Sequence, residues 1–241
     1  MTAGSGSGGG VTRRAERRAA TTAEIKSLAR RQLAERGTGG LSLRGIARDM
    51  RMAPAALFRY FDNQSALITA LCVDAYDDLA DALGVAVQAA QSDPAAQWRA
   101  ACGALRAWAL AEPSDFALIN GTPIPGYQAQ VEDTGVAAGR VVQAVAAIYV
   151  SAIAAGIADP ARSDVPPLAA GPTLVAIYGA GELPDSPVPG IVVNAWSSIL
   201  GFVAAEVFGS LCTLVADPDR LFEAHVTTVM RGMGFQLAPR R

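Results

Sequence analysis

Lysine is nearly missing from this 241-residue chain, where Lys26 stands alone against nineteen arginines. Histidine occurs once, at His225, and only 17% of residues are charged. With no Ser or Cys signature beside that histidine, a nucleophile–base relay has no visible parts. Neither GxGxxG nor a P-loop occurs, so no phosphate cradle is expected, and we expect no enzyme and no cofactor. The cysteines Cys72, Cys102 and Cys212 lie far apart with no CxxC pair. Such a set excludes a disulfide framework and a zinc knuckle and suits buried thiols in a reducing cytoplasm. Asp74, Asp77, Asp78 and Asp81 form the one acidic run. A solvated helix face explains it better than a metal site, so no metal is expected.

What is present is apolar. Hydrophobic residues make up 51% and mean hydropathy is +0.26, which excludes an intrinsically disordered chain. Residues 141–158 and 186–205 carry no charge, near the ~20 residues of a membrane span. Neither has a flanking Lys/Arg cluster, and both contain polar residues or proline, so burial inside a helical protein is the better reading and no membrane partner is expected. Residues 1–10 are Gly/Ser-rich with no apolar stretch, which reads as a flexible tail and not a secretory signal. Charge is divided unevenly. Residues 1–70 hold twelve cations and five acids, net +7, against eight cations and seventeen acids, net −9, in the remainder. That asymmetry suggests a polyanion-binding head on an acidic body.

Alanine-rich segments with 3.6-residue periodicity predict an all-α fold. A first helix is expected over residues 22–36, with Ile25, Leu28, Ala29 and Leu33 on one face and Gly37 ending it. Ser42 should cap a helix from Leu43 to Met50, Pro54 should open a short helix, and Asn63 should cap a long fourth one. Later helices are expected near 128–157, 174–178, 190–214 and 218–233. Two short helices joined by a three- to four-residue turn behind a supporting first helix form a helix-turn-helix pattern, whose second short helix fits the major groove of B-DNA.

Residues 41–67, LSLRGIARDMRMAPAALFRYFDNQSAL, resemble the DNA-binding domain of tetracycline-repressor-like (TetR/AcrR) regulators. The Ile46-Ala47 pair, Leu57, Phe58, the Arg59-Tyr60-Phe61 run and Leu67 carry the likeness, which spans about residues 21–71. The family usually has Gly where Arg51 stands, Ser at Ala53, Tyr at Phe58, His at Tyr60 and Lys at Gln64. Ala53 cannot cap, a loss of roughly 1 kcal/mol. The resemblance implies a retained fold with a rewritten contact set: Arg44, Arg48, Arg51, Pro54, Ala55, Ala56, Phe58, Arg59, Tyr60 and Gln64 against DNA. Arg13 to Arg18 form either an arm along phosphates or in a minor groove, or a basic tail with no specific role.

Residues 106–127 and the run Trp196-Ser197-Ser198-Ile199-Leu200-Gly201 are similar to the C-terminal domain of a subgroup with a Trp-three residues-His-Gly signature, Leu200 standing in place of the His. The division expected is a tail at 1–20, a DNA-binding domain at 21–65 and an effector-binding and dimerisation domain at 66–241. Trp98, Trp108, Phe116, Asn120, Tyr127, Tyr149, Asn194 and Trp196 are the candidate lining of an effector pocket, with Glu206 a further polar anchor. Plain core packing is the competing account of each aromatic. In the family the last two helices build a four-helix dimer interface, and the stripe Ile199, Phe202, Val203, Val207, Leu211, Leu221, Phe222, Val226 and Val229 is assigned to it. The reading is a cytoplasmic homodimeric regulator, a repressor of a palindromic operator released by a small apolar or amphipathic effector. Alternatives are a ligand-binding helical protein with a degenerate DNA-reading head, a membrane-associated protein and a helical enzyme.

Overall fold

The computed structural model describes residues 8–91, 93–121, 124, 126–168, 171 and 186–237. Among these, nine α-helices run in order: α1 Gly8–Arg36, α2 Leu43–Asp49, α3 Pro54–Leu57, α4 Gln64–Ala89, α5 Pro94–Ala111, α6 Pro113–Asn120, α7 Val131–Ala154, α8 Val188–Val207 and α9 Pro218–Gly232. The only strand-like pairing among described residues is an isolated bridge between Ala158 and Phe235. The fold is all-α, as the periodicity predicts. The helix expected at 174–178 lies outside the described residues.

The chain divides into two compact units, Met1–Cys72 with Thr122–Gln128, and Val73–Gly121 with Ala129–Arg241. In the first, Ile25, Ala29 and Leu33 of α1 meet Ile46, Ala47, Leu57, Phe61, Leu67 and Leu71 in a buried core. Gly37, at φ +69°, closes α1 as expected. The start of α1 does not match expectation: it lies at Gly8, not near residue 22. Residues 13–20, RRAERRAA, consist of strong helix formers, and their propensity outweighs the flexible-tail reading given to residues 8–20.

In the second unit the two uncharged stretches become core helices. Val141, Val145, Ile148, Tyr149 and Ala152 of α7, and Ile191, Val192, Ala195, Ile199 and Val203 of α8, are buried. Both helices are long and apolar enough to cross a membrane, yet their apolar stripes face other helices of the same unit. The expected helix over 190–214 stops at Val207, because Gly209 takes φ +79° and the chain turns. The Arg106 guanidinium joins three helices, donating to both Glu206 oxygens at 2.7 and 2.6 Å and to Asp219 at 2.6 Å. It also lies 5.0 Å from the Phe222 ring centroid. Glu206 hydrogen bonding holds that guanidinium charged above the usual arginine range, against the opposing effect of burial.

Candidate nucleic-acid interface

The reading head is built from the inside out. Ser42 caps α2, its Oγ accepting from the Gly45 N–H at 3.2 Å. The Ser42 N–H in turn donates to Gln32 Oε1 at 2.9 Å. Gln32 is 4% exposed and fixes where α2 starts relative to α1. Sequence reasoning missed it, although a polar residue three positions after Ala29 and seven after Ile25 on the apolar stripe was the available signal.

The turn between α2 and α3 is held by the Met52 N–H donating to the Ala47 carbonyl at 2.8 Å. Arg51 sits in it at φ +53°. That backbone conformation is why relatives carry glycine there, since a Cβ is disfavoured in the left-handed region. Ala53 stands at the N-cap of α3 with no side-chain cap bond, as its chemistry requires. Asn63 caps α4, its Oδ1 accepting from the Ala66 N–H at 2.8 Å.

On this frame the cations and small groups lie outward. Arg44, Arg48, Arg51, Pro54, Ala55, Arg59 and Gln64 are exposed, Ala56 and Tyr60 half-buried, and Phe58 is 48% exposed. An aromatic ring left that open next to four arginines is unusual for a core residue and suits a contact surface. Arg48 has only a 3.7 Å contact to Asp49, leaving its charge available. One contact was not anticipated. Arg18 of α1 donates to the Arg59 carbonyl at 2.9 Å and lies 5.1 Å from the Tyr60 ring centroid.

The candidate effector residues do not gather around one cavity among the described residues. Trp98, Phe116 and Tyr149 are fully buried, Trp196 is buried, and Trp108 packs half-buried on the core. They fall into two ring clusters. Phe116 joins Trp108 and Phe208 with centroids 6.4 and 5.9 Å apart, while Phe235 joins Trp98 and Tyr149 at 6.4 and 5.9 Å. Asn120 is half-buried at the end of α6, and Asn194 is exposed on α8. Tyr127 belongs to the first unit, with its hydroxyl 3.1 Å from Thr69 Oγ1. Glu206 is occupied by Arg106. An open groove of about 780 Å³ between α5 and α9 is lined by Arg99, Arg106, Leu110, Phe222 and Val226, and by none of the eight candidates.

The expected dimer stripe needs correction. Ile199, Val203, Phe222 and Val226 are at most 5% exposed inside the protomer's own core. Phe202, Val207 and Val229 pack half-buried against it, and Leu211 is in the turn beyond α8. Only Leu221, 41% exposed, faces out. The most apolar stripe of each helix is consumed within one chain. The outward flank is instead Asn194, Ser197, Ser198 and Gly201 on α8, with Leu221, Ala224 and Thr228 on α9. His225 bridges the two helices there, stacked on Phe202 at 5.2 Å with Nε2 3.2 Å from the Ser198 carbonyl. The acidic run on α4 also finds a partner, because Arg140 bonds both Asp77 and Asp81.

Comparison with known proteins agrees with this geometry. Residues 25–71 match the bacterial regulatory proteins of the tetR family, and residues 98–229 match the tetracyclin repressor-like C-terminal domain. An HTH-type transcriptional regulator of Mycobacterium tuberculosis is 37% identical over 224 residues, covering 89% of this chain and 92% of its own. Its Mycobacterium bovis counterpart matches equally, at 37%. The crystal structure of a regulatory protein, 30% identical, aligns with a TM-score of 0.70 over 90% of this chain and 98% of its own. A structure from Rhodococcus, 25% identical, gives 0.68 over 88% and 95%. A helix-turn-helix head with outward arginines, followed by a helical domain of the same descent, places this chain in the TetR family of bacterial transcriptional regulators.

Proposed function

We propose that the protein is a cytoplasmic homodimeric repressor that reads a palindromic operator and releases it on binding a small apolar or amphipathic effector. Residues 21–65 serve as the reading domain, and 66–241 as the effector and dimer domain. The observation that carries the DNA reading is the outward set Arg44, Arg48, Arg51 and Arg59 around α2 and α3. These cations neutralise phosphates, while Tyr60, Phe58, Gln64 and the surfaces of Pro54, Ala55 and Ala56 meet the groove. Two such heads in a two-fold dimer would stand about 34–36 Å apart, one turn of DNA.

The effector reading rests on Trp98, whose buried indole Nε1–H has no acceptor among the described residues. A donor left unpaired in an apolar interior is costly unless some state of the molecule supplies an acceptor. A carbonyl- or ether-bearing effector would do so. Its coupling to DNA, typically ~1–3 kcal/mol, must be reciprocal. Binding to the protein's own upstream intergenic DNA, measured against scrambled duplex at physiological salt, tests the main reading. A preference of at least ~1,000-fold is expected, and a ratio near one overturns it.

A further inference from the structure

Helix α1 does not stop where the reading head's core stops. Its last three turns supply Ile25, Ala29, Gln32 and Leu33 to that core. Its first half, back to Gly8, carries Arg13, Arg14, Arg17 and Arg18. At ~100° per residue the four arginines fall within an arc of about 140°, overlapping the direction in which Ile25, Ala29 and Gln32 point. The arginines therefore project from the same side of α1 as the helix-turn-helix, beyond its edge. Arg13, Arg14 and Arg17 are exposed and form no ion pair among the described residues. Arg18 fastens the segment to the head through the Arg59 carbonyl and the Tyr60 ring.

We infer that the N-terminal half of α1 is a second DNA-contacting element, a helical bracket that lays Arg13, Arg14 and Arg17 along the phosphates flanking the half-site read by α3. The inference rests on the DNA-binding reading and extends its footprint. Shape chooses the groove. A helix with side chains is ~10–12 Å across, too wide for a minor groove of ~6 Å, so this segment cannot thread into it as an extended arm would. One helical turn, about 5.4 Å, separates Arg13 from Arg17, close to two phosphate steps of ~3.4 Å each along one strand. Arg18 is a positioning residue in this arrangement, because its guanidinium is directed at the head and not at solvent.

The test uses the full chain and its R13Q/R14Q/R17Q variant, in which glutamine preserves helix propensity. Affinity is measured from 50 to 200 mM salt on two duplexes, the upstream intergenic fragment and a scrambled one of equal length. Three lost phosphate contacts should lower the salt slope by ~2.7 on both. Wild type would then lose ~40-fold more affinity across that range than the variant does. Hydroxyl-radical footprints on the upstream fragment should retract at both outer edges. Arg18→Ala should lower the slope by more than its single charge and speed amide exchange over residues 12–18. An unchanged slope with unchanged circular dichroism overturns the bracket. If wild type does not prefer the upstream fragment but the slope still falls on both duplexes, operator reading fails while the bracket stands.

Discussion

Arg51 shows what a single residue can cost and return. Its φ of +53° places a branched, charged side chain where the turn between α2 and α3 needs left-handed backbone. That conformation costs an L-residue about 1–2 kcal/mol. Replacing it by glycine removes the strain but loosens the unfolded chain by roughly 0.4–1 kcal/mol. Arg51→Gly should therefore raise unfolding stability by ~0.5–1 kcal/mol in urea titration. The same variant should lower the salt slope of DNA binding by about 0.9, one phosphate's share. A gain in stability with no change in slope would remove Arg51 from the contact set. Ala53 belongs to the same pattern, since its methyl cannot cap α3. Two adjacent departures that each weaken the turn are consistent with selection for what the turn touches.

At the scale of elements, the segment after α9 acts as a clasp on the loop after α7. The Asp159 N–H donates to the Gly234 carbonyl at 3.1 Å and the Gln236 N–H to the Ile157 carbonyl at 2.8 Å. The Tyr149 hydroxyl donates to the Met233 carbonyl at 2.6 Å, which seats Phe235 against Tyr149 and Trp98. Burial pushes the Tyr149 phenol up to about 12 from an ordinary 10.0, with the Asp159 charge adding to it. The folded state thus holds this proton more tightly than the unfolded chain does. The stability it contributes is complete below pH 10 and lost as pH rises from there through 12. Burial likewise lifts the Cys102 thiol from 9.0 to about 12, so it acts in the same direction. Denaturant midpoints should fall above pH 9, and Tyr149→Phe should flatten the part above pH 10 while costing ~1 kcal/mol at neutral pH. An undiminished alkaline fall in that variant would dissociate Tyr149 from it. None of this clasp was legible in the sequence, because residues 233–237 carry no periodicity and their partners lie some 80 positions away. Elements with local signals were legible: Ser42 and Asn63 as caps, Gly37 as a stop, and the Leu43 and Pro54 helix starts all follow from neighbours within four residues.

At the scale of the whole molecule, hydrophobic pattern proved a poor guide to which surface is shared. Ile199, Val203, Phe222 and Val226 look like an interface in sequence because they are the most apolar positions of the last two helices, and they are interior for the same reason. A chain with 51% hydrophobic residues fills its own core first. What remains outside is the small and polar flank Ser197, Ser198, Gly201, Ala224 and Thr228, over which two helix pairs could approach closely. The proposed dimer is therefore placed on this flank. At Gly201 an added Cβ meets nothing within 4 Å of the protomer, so a large side chain there disturbs only what lies across the surface. Gly201→Arg, or Ala224→Arg on the adjacent exposed position, should leave helicity and urea stability of the protomer near wild type. Sedimentation equilibrium should then give a species of 24.8 kDa in place of one twice that mass. Operator affinity should fall steeply, since a lone head loses the second half-site, while binding to scrambled duplex changes by only a few-fold. Wild type sedimenting as a monomer, or the arginine variants remaining dimeric, would move the interface elsewhere. If dimerisation is lost but operator affinity is kept, the two heads do not bind as a pair, and the palindromic operator goes with them.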